Sequence, residues 1–109
     1  MPRQAPAKLS DDEVQAALAK IPAWRLESGK LHREYKFANF VAAFSFMTGV
    51  ALVAQEMDHH PEWSNVWNTV RVDLATHDVG GITALDAKLA VAMEELAERQ
   101  LAKTDHRLP

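Results

Sequence analysis

Gln55-Glu56-Met57-Asp58-His59-His60-Pro61-Glu62-Trp63 is the stretch on which the fold turns. An apolar segment with helical spacing runs into it and must stop there, because proline pushes the residue before it out of the helical region. This predicts His59 near the end of a helix and His60 in extended backbone. An extended run from Trp63 to Thr76 follows, so the stretch marks a switch from helix to strand. It also sets two imidazoles on a stiff corner. Histidine is the side chain whose unperturbed pKa lies near neutrality, which suits such a corner to proton transfer. A third histidine, His77, stands fourteen residues past Trp63 and just before Gly80-Gly81.

On the N-terminal side, the helix that ends at this corner reads from an N-cap at Asn39 to about Met57, with Phe40, Phe44, Met47, Ala51 and Ala54 repeating along one face. Gly49 inside it costs ~1 kcal/mol relative to alanine in an exposed helix, so it marks close approach of another element or subunit. Before that helix, a strand around Trp24-Arg25-Leu26 turns at Glu27-Ser28-Gly29-Lys30 into a second strand, Leu31 to Phe37. Leu31, Tyr35 and Phe37 share a face with Arg33 as the exception, while His32, Glu34 and Lys36 take the other. Earlier still, Ser10-Asp11-Asp12-Glu13 is a capping box opening a short helix to about Lys20, with Val14, Ala17, Leu18 and Ile21 on its apolar face and Pro22 ending it.

On the C-terminal side, Val66, Val70, Val72 and Leu74 are expected on one face of the extended run and Trp67, Thr69, Arg71 and Asp73 on the other, as two short strands broken near Asn68. No run approaches membrane-spanning length in this reading. Thr83 is placed to cap a third helix with Asp86 at the capping-box acid position, and Leu85, Leu89, Ala92, Met93 and Leu96 line its buried face. The order is α-β-β-α-β-β-α. It predicts an α+β two-layer sandwich, a four-stranded antiparallel sheet with three helices on one face. Residues 10–102 form the domain, with flexible segments at 1–9 and 103–109.

A chain of 109 residues suits one domain with one core. Its net charge of −3 with mixed signs and no basic cluster argues against nucleic acid as a partner. The absence of cysteine excludes disulfides, thiolate metal sites and cysteine nucleophiles. Met1 to Lys8 has no apolar h-region, so a cytoplasmic protein without membrane partners is expected.

The residues leave three readings of the histidines open. Three imidazoles can serve catalytic zinc, but adjacent residues in extended chain point to opposite sides, so His59 and His60 converge on one ion only with a distorted backbone. A purely structural reading makes His59 a cation at a helix C-terminus and leaves His60 and His77 as surface residues. The third is metal-free general acid-base catalysis by two histidines on separate corners, one protonating a leaving hydroxyl while another removes a proton from a ring nitrogen. Asp86 either orients one of them, contacts substrate, or merely caps its helix. Trp24, Trp63 and Trp67 can stack on a flat heterocycle, although core packing is the commoner role. Glu56, Asp58 and Glu62 read as solvated charges that bias nearby histidines towards protonation.

Three segments, Phe46–Leu52, Asp58–Val66 and Thr76–Asp86, together resemble the pterin-4a-carbinolamine dehydratase (4a-hydroxytetrahydrobiopterin dehydratase) family, and the resemblance runs from about Trp24 to Leu96. The combination of His-His-Pro, a Thr-His at this distance and Gly-Gly-(apolar)-Thr-x-x-Asp carries it. Trp67 stands where tyrosine is common and Ile82 where leucine is common. The resemblance implies the same fold, catalytic His59, His60 and His77, and a pterin pocket that includes Trp24, Pro61, Trp63 and Asp86, with no metal and no cofactor besides the pterin substrate. The implied reaction is loss of water from 4a-hydroxytetrahydropterin to give quinonoid dihydropterin in tetrahydropterin recycling, downstream of an aromatic amino acid hydroxylase, with His60 taken as the acid. Relatives form dimers or tetramers through sheet edges and the long helix, and some animal relatives bind a homeodomain transcription factor. A non-catalytic dimerisation or chaperone module on the same fold is the alternative.

Overall fold

The computed structural model describes residues 6–105, with side chains described as far as Gln100. Helix α1 spans Asp11–Lys20, strand β1 Arg25–Glu27, β2 Lys30–Lys36, helix α2 Phe40–Met57, β3 Glu62–Val66, β4 Thr69–Leu74 and helix α3 Ala84–Asp105, with a 3-10 turn at His77–Val79 before the last. This is the predicted order. The strands form one antiparallel sheet in the order β1-β2-β4-β3, so the crossover through α2 carries β3 to the outer edge and leaves β4 between β2 and β3.

Local sequence accounts for most of the boundaries. Ser10 and Glu13 close the capping box of α1, with Glu13 N–H donating to Ser10 Oγ at 3.2 Å and Ser10 N–H to Glu13 Oε1 at 2.9 Å. Ser28 and Gly29 both take positive φ, 52° and 77°, the backbone that a two-residue hairpin needs to follow strand twist. Asn39 caps α2 by accepting from Ala42 N–H. Asp58 ends α2 in the left-handed region, and the His59 N–H bonds back to the Ala54 carbonyl, so the chain leaves the helix with His59 already fixed.

The helices cover one face of the sheet. Leu31, Tyr35, Val70, Val72 and Leu74 from the sheet meet Phe46, Val50 and Ala54 of α2 and Leu89, Met93 and Ala97 of α3 in the core. Tyr35 and Phe37 stack at 6.0 Å between centroids, and Phe46 packs against them at 4.8 and 5.0 Å. Gly49 marks a close approach as expected: a Cβ there would lie 3.3 Å from Leu96 Cδ2 of α3. Arg33, the charged residue on the core face, lies with its guanidinium 4.2 Å from the Tyr35 ring centroid and pairs with Glu94 of α3 at 3.3 Å.

The structure corrects several expectations. The buried stripe of α2 is Ala43, Phe46, Val50 and Ala54, whereas Phe40, Val41, Phe44 and Leu52 are exposed. The helix is apolar on two faces, and spacing alone does not say which one meets the sheet. With 18 residues and a mean hydropathy of 1.5, α2 is also long and apolar enough to cross a membrane, contrary to the reading that no run approaches that length. Its buried stripe nevertheless lies in the core described above. On α3, Leu85, Ala92 and Leu96 are only half-buried, and Asp86 and Ala90 join Leu89 and Met93 on the inner stripe. Val66 faces away from Val70: it pairs with Thr69 across the Trp67-Asn68 turn, and paired residues share a face. The segment before Ser10 is not free throughout. Lys8 bridges Thr83 and the Leu9 N–H donates to the Ile82 carbonyl at 2.8 Å. Residues 1–5 and 106–109 lie outside the described residues, and α3 continues to Asp105, past the expected end at 102.

Candidate active site

Four chain ends meet at one end of the sandwich: the end of α2, the start of β3, the end of β4 and the start of α3. The first delivers His59 and the last delivers Asp86. His59 Nε2 lies 2.5 Å from Asp86 Oδ1, with the imidazole 11% exposed and the carboxylate 0% exposed. The other oxygen of Asp86, Oδ2, accepts from Thr76 Oγ1 at 2.8 Å and from the Thr83 backbone N–H at 2.9 Å.

Donor counting orders the protons in this cluster. Thr76 spends its one hydroxyl proton on Asp86, so the 2.8 Å contact between Thr76 and Thr83 hydroxyls has Thr83 as donor. Thr83 Oγ1 then accepts from the Leu85 N–H at 3.3 Å. The chain runs Leu85 N–H to Thr83, Thr83 to Thr76, and Thr76 to Asp86, and it ends on a carboxylate that only accepts. An ionised Asp86 therefore holds the His59 proton on Nε2 and leaves Nδ1 as the lone-pair nitrogen. Asp86 is both the predicted capping acid, through Thr83 N–H, and a histidine partner.

His60 and His77 stand apart from this cluster. His60 is exposed, with Nε2 3.1 Å from Gln55 Oε1 on the last turn of α2. Pro61, half-buried, carries the chain into β3, where Trp63 packs partly buried against the core. His77 is 75% exposed, and its Nε2 lies 2.8 Å from Glu62 Oε1. Glu62 Oε2 is 2.7 Å from Lys30 Nζ. That lysine holds the Glu62 carboxyl below the usual carboxylate range, with His77 adding to the effect, and the same contact raises Lys30 above its ordinary value.

The structure thus joins His59 to Asp86 and ties His77 to the same neighbourhood through Thr76, its predecessor in sequence. A cleft of about 230 Å³, lined by Lys30, Ala75, Thr76, His77 and the glycine pair 80–81, lies on the β2 side of His77. The His59-His60 corner leads into β3 on the other side. No hydrogen bond or ring contact joins Trp24 to a histidine among the described residues. Trp24 is 3% exposed in the core, edge-on to Tyr35 at 6.3 Å, and its Nε1 has no hydrogen-bond partner among the described residues. Trp67, considered for stacking, sits at the exposed tip of the β3–β4 turn with φ 51°. Among the described residues no group of three or more His, Asp or Glu side chains is arranged to hold a metal ion.

Sequence spacing pairs Thr83 with Asp86 as cap and capping acid, but it singles out neither Gln55 nor Lys30, nor Thr76 as a further partner of the Asp86 carboxylate. The threonines leave a trace in Thr76-x6-Thr83-x2-Asp86, in which the capping acid takes the Thr83 backbone N–H and the Thr76 hydroxyl together. Lys30 leaves none, because its partner lies 32 residues away on a strand that is not its neighbour.

Fold and site together define a small α+β sandwich protein with a carboxylate-anchored histidine at one end and two further imidazoles on adjoining corners. Comparison with known sequences makes this specific: the profile of the pterin 4 alpha carbinolamine dehydratase family matches residues 7–96, and the chain belongs to that family. A relative from Solibacter usitatus, provisionally assigned as a pterin-4-alpha-carbinolamine dehydratase, is 58% identical over 90 residues, covering 83% of this chain and 95% of the relative. One from Afipia carboxidovorans with the same provisional assignment is 54% identical over 93 residues, covering 84% and 93%. A crystal structure from Brucella melitensis, described as a transcriptional coactivator/pterin dehydratase, superposes with a TM-score of 0.81 at 42% identity, covering 84% of this chain and 99% of the other.

Proposed function

We propose that the protein dehydrates a 4a-hydroxytetrahydropterin to the quinonoid dihydropterin in tetrahydropterin recycling, by histidine general acid-base catalysis that needs no metal. The observation that carries this reading is the His59–Asp86 pair. A fully buried carboxylate, already satisfied by two other donors, holds one proton on Nε2 and leaves the opposite nitrogen free to accept another. In the reaction the C4a–O bond breaks, the departing hydroxyl takes a proton and leaves as water, and the N5 electron pair forms the C4a=N5 double bond. The N5 proton is then lost to a base. His59 suits the base role, because Asp86 stabilises the imidazolium that forms. His60, exposed on the adjoining corner, is assigned as the acid, and His77 as a third proton carrier on the β4 side. Pro61 and Trp63 shape the β3 side of the pterin pocket. Trp24 acts at one remove, through the packing of the core behind it.

The same chain is proposed to self-associate through the exposed face of α2, where Phe40, Val41, Phe44 and Leu52 leave apolar side chains 49–71% exposed. A non-catalytic module would use that face alone and would not need the His59–Asp86 pair. The separating experiment generates the carbinolamine with an aromatic amino acid hydroxylase and follows its ultraviolet decay with and without this protein, before and after chelator treatment. Faster decay that survives chelation is expected. Absence of acceleration by folded protein would overturn the dehydratase reading for that pterin, and acceleration lost on chelation would overturn the metal-free mechanism.

A further inference from the structure

Glu62 opens β3 at the sheet edge, Lys30 opens β2, and β4 lies between them, so the 2.7 Å Lys30–Glu62 contact crosses the end of β4 directly before the turn that bears His77. The two carboxylate oxygens are divided: Oε2 faces Lys30 and Oε1 faces His77 at 2.8 Å. Glu62 also pairs across the ladder with Asp73, whose own partner is His32 Nδ1 at 2.8 Å. Four side chains from three strands therefore form one polar row on the open face of the sheet, and His77 is attached at its end.

We propose that Glu62 is a positioning residue for His77 and that Lys30, by sharing the same carboxylate, sets how strongly Glu62 holds the His77 proton. The inference rests on the reading of His77 as a proton carrier in the dehydration. Lys30 acts in two ways. It fixes the carboxylate rotamer that turns Oε1 towards the imidazole, and its positive charge offsets the negative charge that His77 feels. Of the charged groups around this contact, Glu62 of β3 touches His77, Lys30 of β2 shares that carboxylate, Asp73 of β4 acts on Lys30, and Asp78 follows His77 in the 3-10 turn. His59 is served differently, by a buried carboxylate with no competing cation among its contacts. His59 thus has a carboxylate oxygen to itself, whereas His77 shares its carboxylate with a lysine.

The test is an NMR titration of the His77 ring in the full-length protein, in Glu62→Gln and in Lys30→Met. Both substituted side chains are partly exposed, so the fold is expected to survive, and an unchanged His59 signal, from outside this row, checks it. Glu62→Gln leaves His77 facing a lysine without its carboxylate, and its titration midpoint should fall. Lys30→Met leaves the carboxylate to His77 alone, and the midpoint should rise. Each shift should be about 0.2–0.7 pH unit, the range that an exposed ion pair produces. In the Glu62→Gln background, Lys30→Met should lose part of its effect. Midpoints that stay put, or that move the same way in both variants, would overturn the proposal. The titration does not depend on turnover: a null result in an active dehydratase removes only this inference, and an inactive protein with opposite shifts removes only the reading of the reaction.

Discussion

Replacing Asp86 by asparagine tests the arrangement of the site with almost no change in volume. The aspartate accepts three hydrogen bonds, two of them on Oδ2. An asparagine has one acceptor oxygen, and the Thr83 backbone N–H cannot turn away, so the amide oxygen must take the Oδ2 position. The NH2 group then faces His59 Nε2, which has to present a lone pair, and the histidine proton moves to Nδ1. The nitrogen proposed as the base is thereby blocked. General bases contribute about 10²–10⁴ in rate, so kcat should fall by at least about a hundredfold. Two charge-assisted bonds become neutral and one is rebuilt, a loss of about 1–3 kcal/mol, or roughly 5–15 °C in Tm for a domain of this size. The assay is the coupled carbinolamine decay, read together with thermal unfolding and with 15N NMR of the His59 ring. A folded Asp86→Asn protein with kcat within threefold of the parent, or with the His59 proton still on Nε2, would refute the reasoning.

Other outcomes follow from the same contacts. Thr76→Val removes a buried hydroxyl that links Asp86 to Thr83, and should cost about 1–3 kcal/mol in urea unfolding and lower kcat by roughly tenfold as Asp86 loosens. Leu9→Pro removes the N–H that holds the Ile82 carbonyl, and hydrogen exchange should show faster exchange confined to residues 80–83 before any global loss of stability. Glu13, Glu27, Glu34 and Glu62 are all held below their ordinary value of 4.5, each chiefly by its own hydrogen-bond partner: Ser10, Arg25, Arg71 and Lys30 respectively. A carboxyl with a lowered folded pKa contributes stability that is present above its unfolded value and lost as pH falls through the folded one. Tm should therefore be level above about pH 5 and decline below 4.5, and a decline that begins near neutrality would contradict this. Phe44→Glu on the exposed face of α2 should shift sedimentation towards the monomer without lowering helix content, whereas an unchanged sedimentation coefficient would remove that face from the assembly.

What could be read in the chain before folding was what depends on neighbours in sequence. The Ser10–Glu13 box, the Ser28-Gly29 turn, the Asn39 cap and the stop at Pro61 are each decided within four residues, and each stands where expected. Which side of α2 is buried depends on what packs against it, and a helix with apolar residues on two faces satisfies the spacing rule either way. Alternation carried across the expected break at Asn68 puts Val66 with Val70, whereas the tight Trp67-Asn68 turn places the residues on either side of it on the same face. The site divides in the same way. Thr83 and Asp86 were legible as a cap, since they are three residues apart. The second oxygen of that carboxylate meets His59 from 27 residues away, and Lys30 meets Glu62 across an intervening strand, distances that only the sheet order sets.

The most direct test of the account is the decay of enzymatically generated carbinolamine with His60→Ala, compared with the unaltered protein at equal concentration. His60 is exposed and, among the described residues, its side chain hydrogen-bonds only to the Gln55 amide oxygen, so its removal should leave the unfolding temperature within about 2 °C. Loss of a general acid should slow the accelerated decay by about a hundredfold or more. That loss with an intact Tm is the predicted result. Full acceleration by a His60→Ala protein would contradict its assignment as the acid, and full acceleration by His59→Ala as well would contradict histidine acid-base catalysis at this corner altogether.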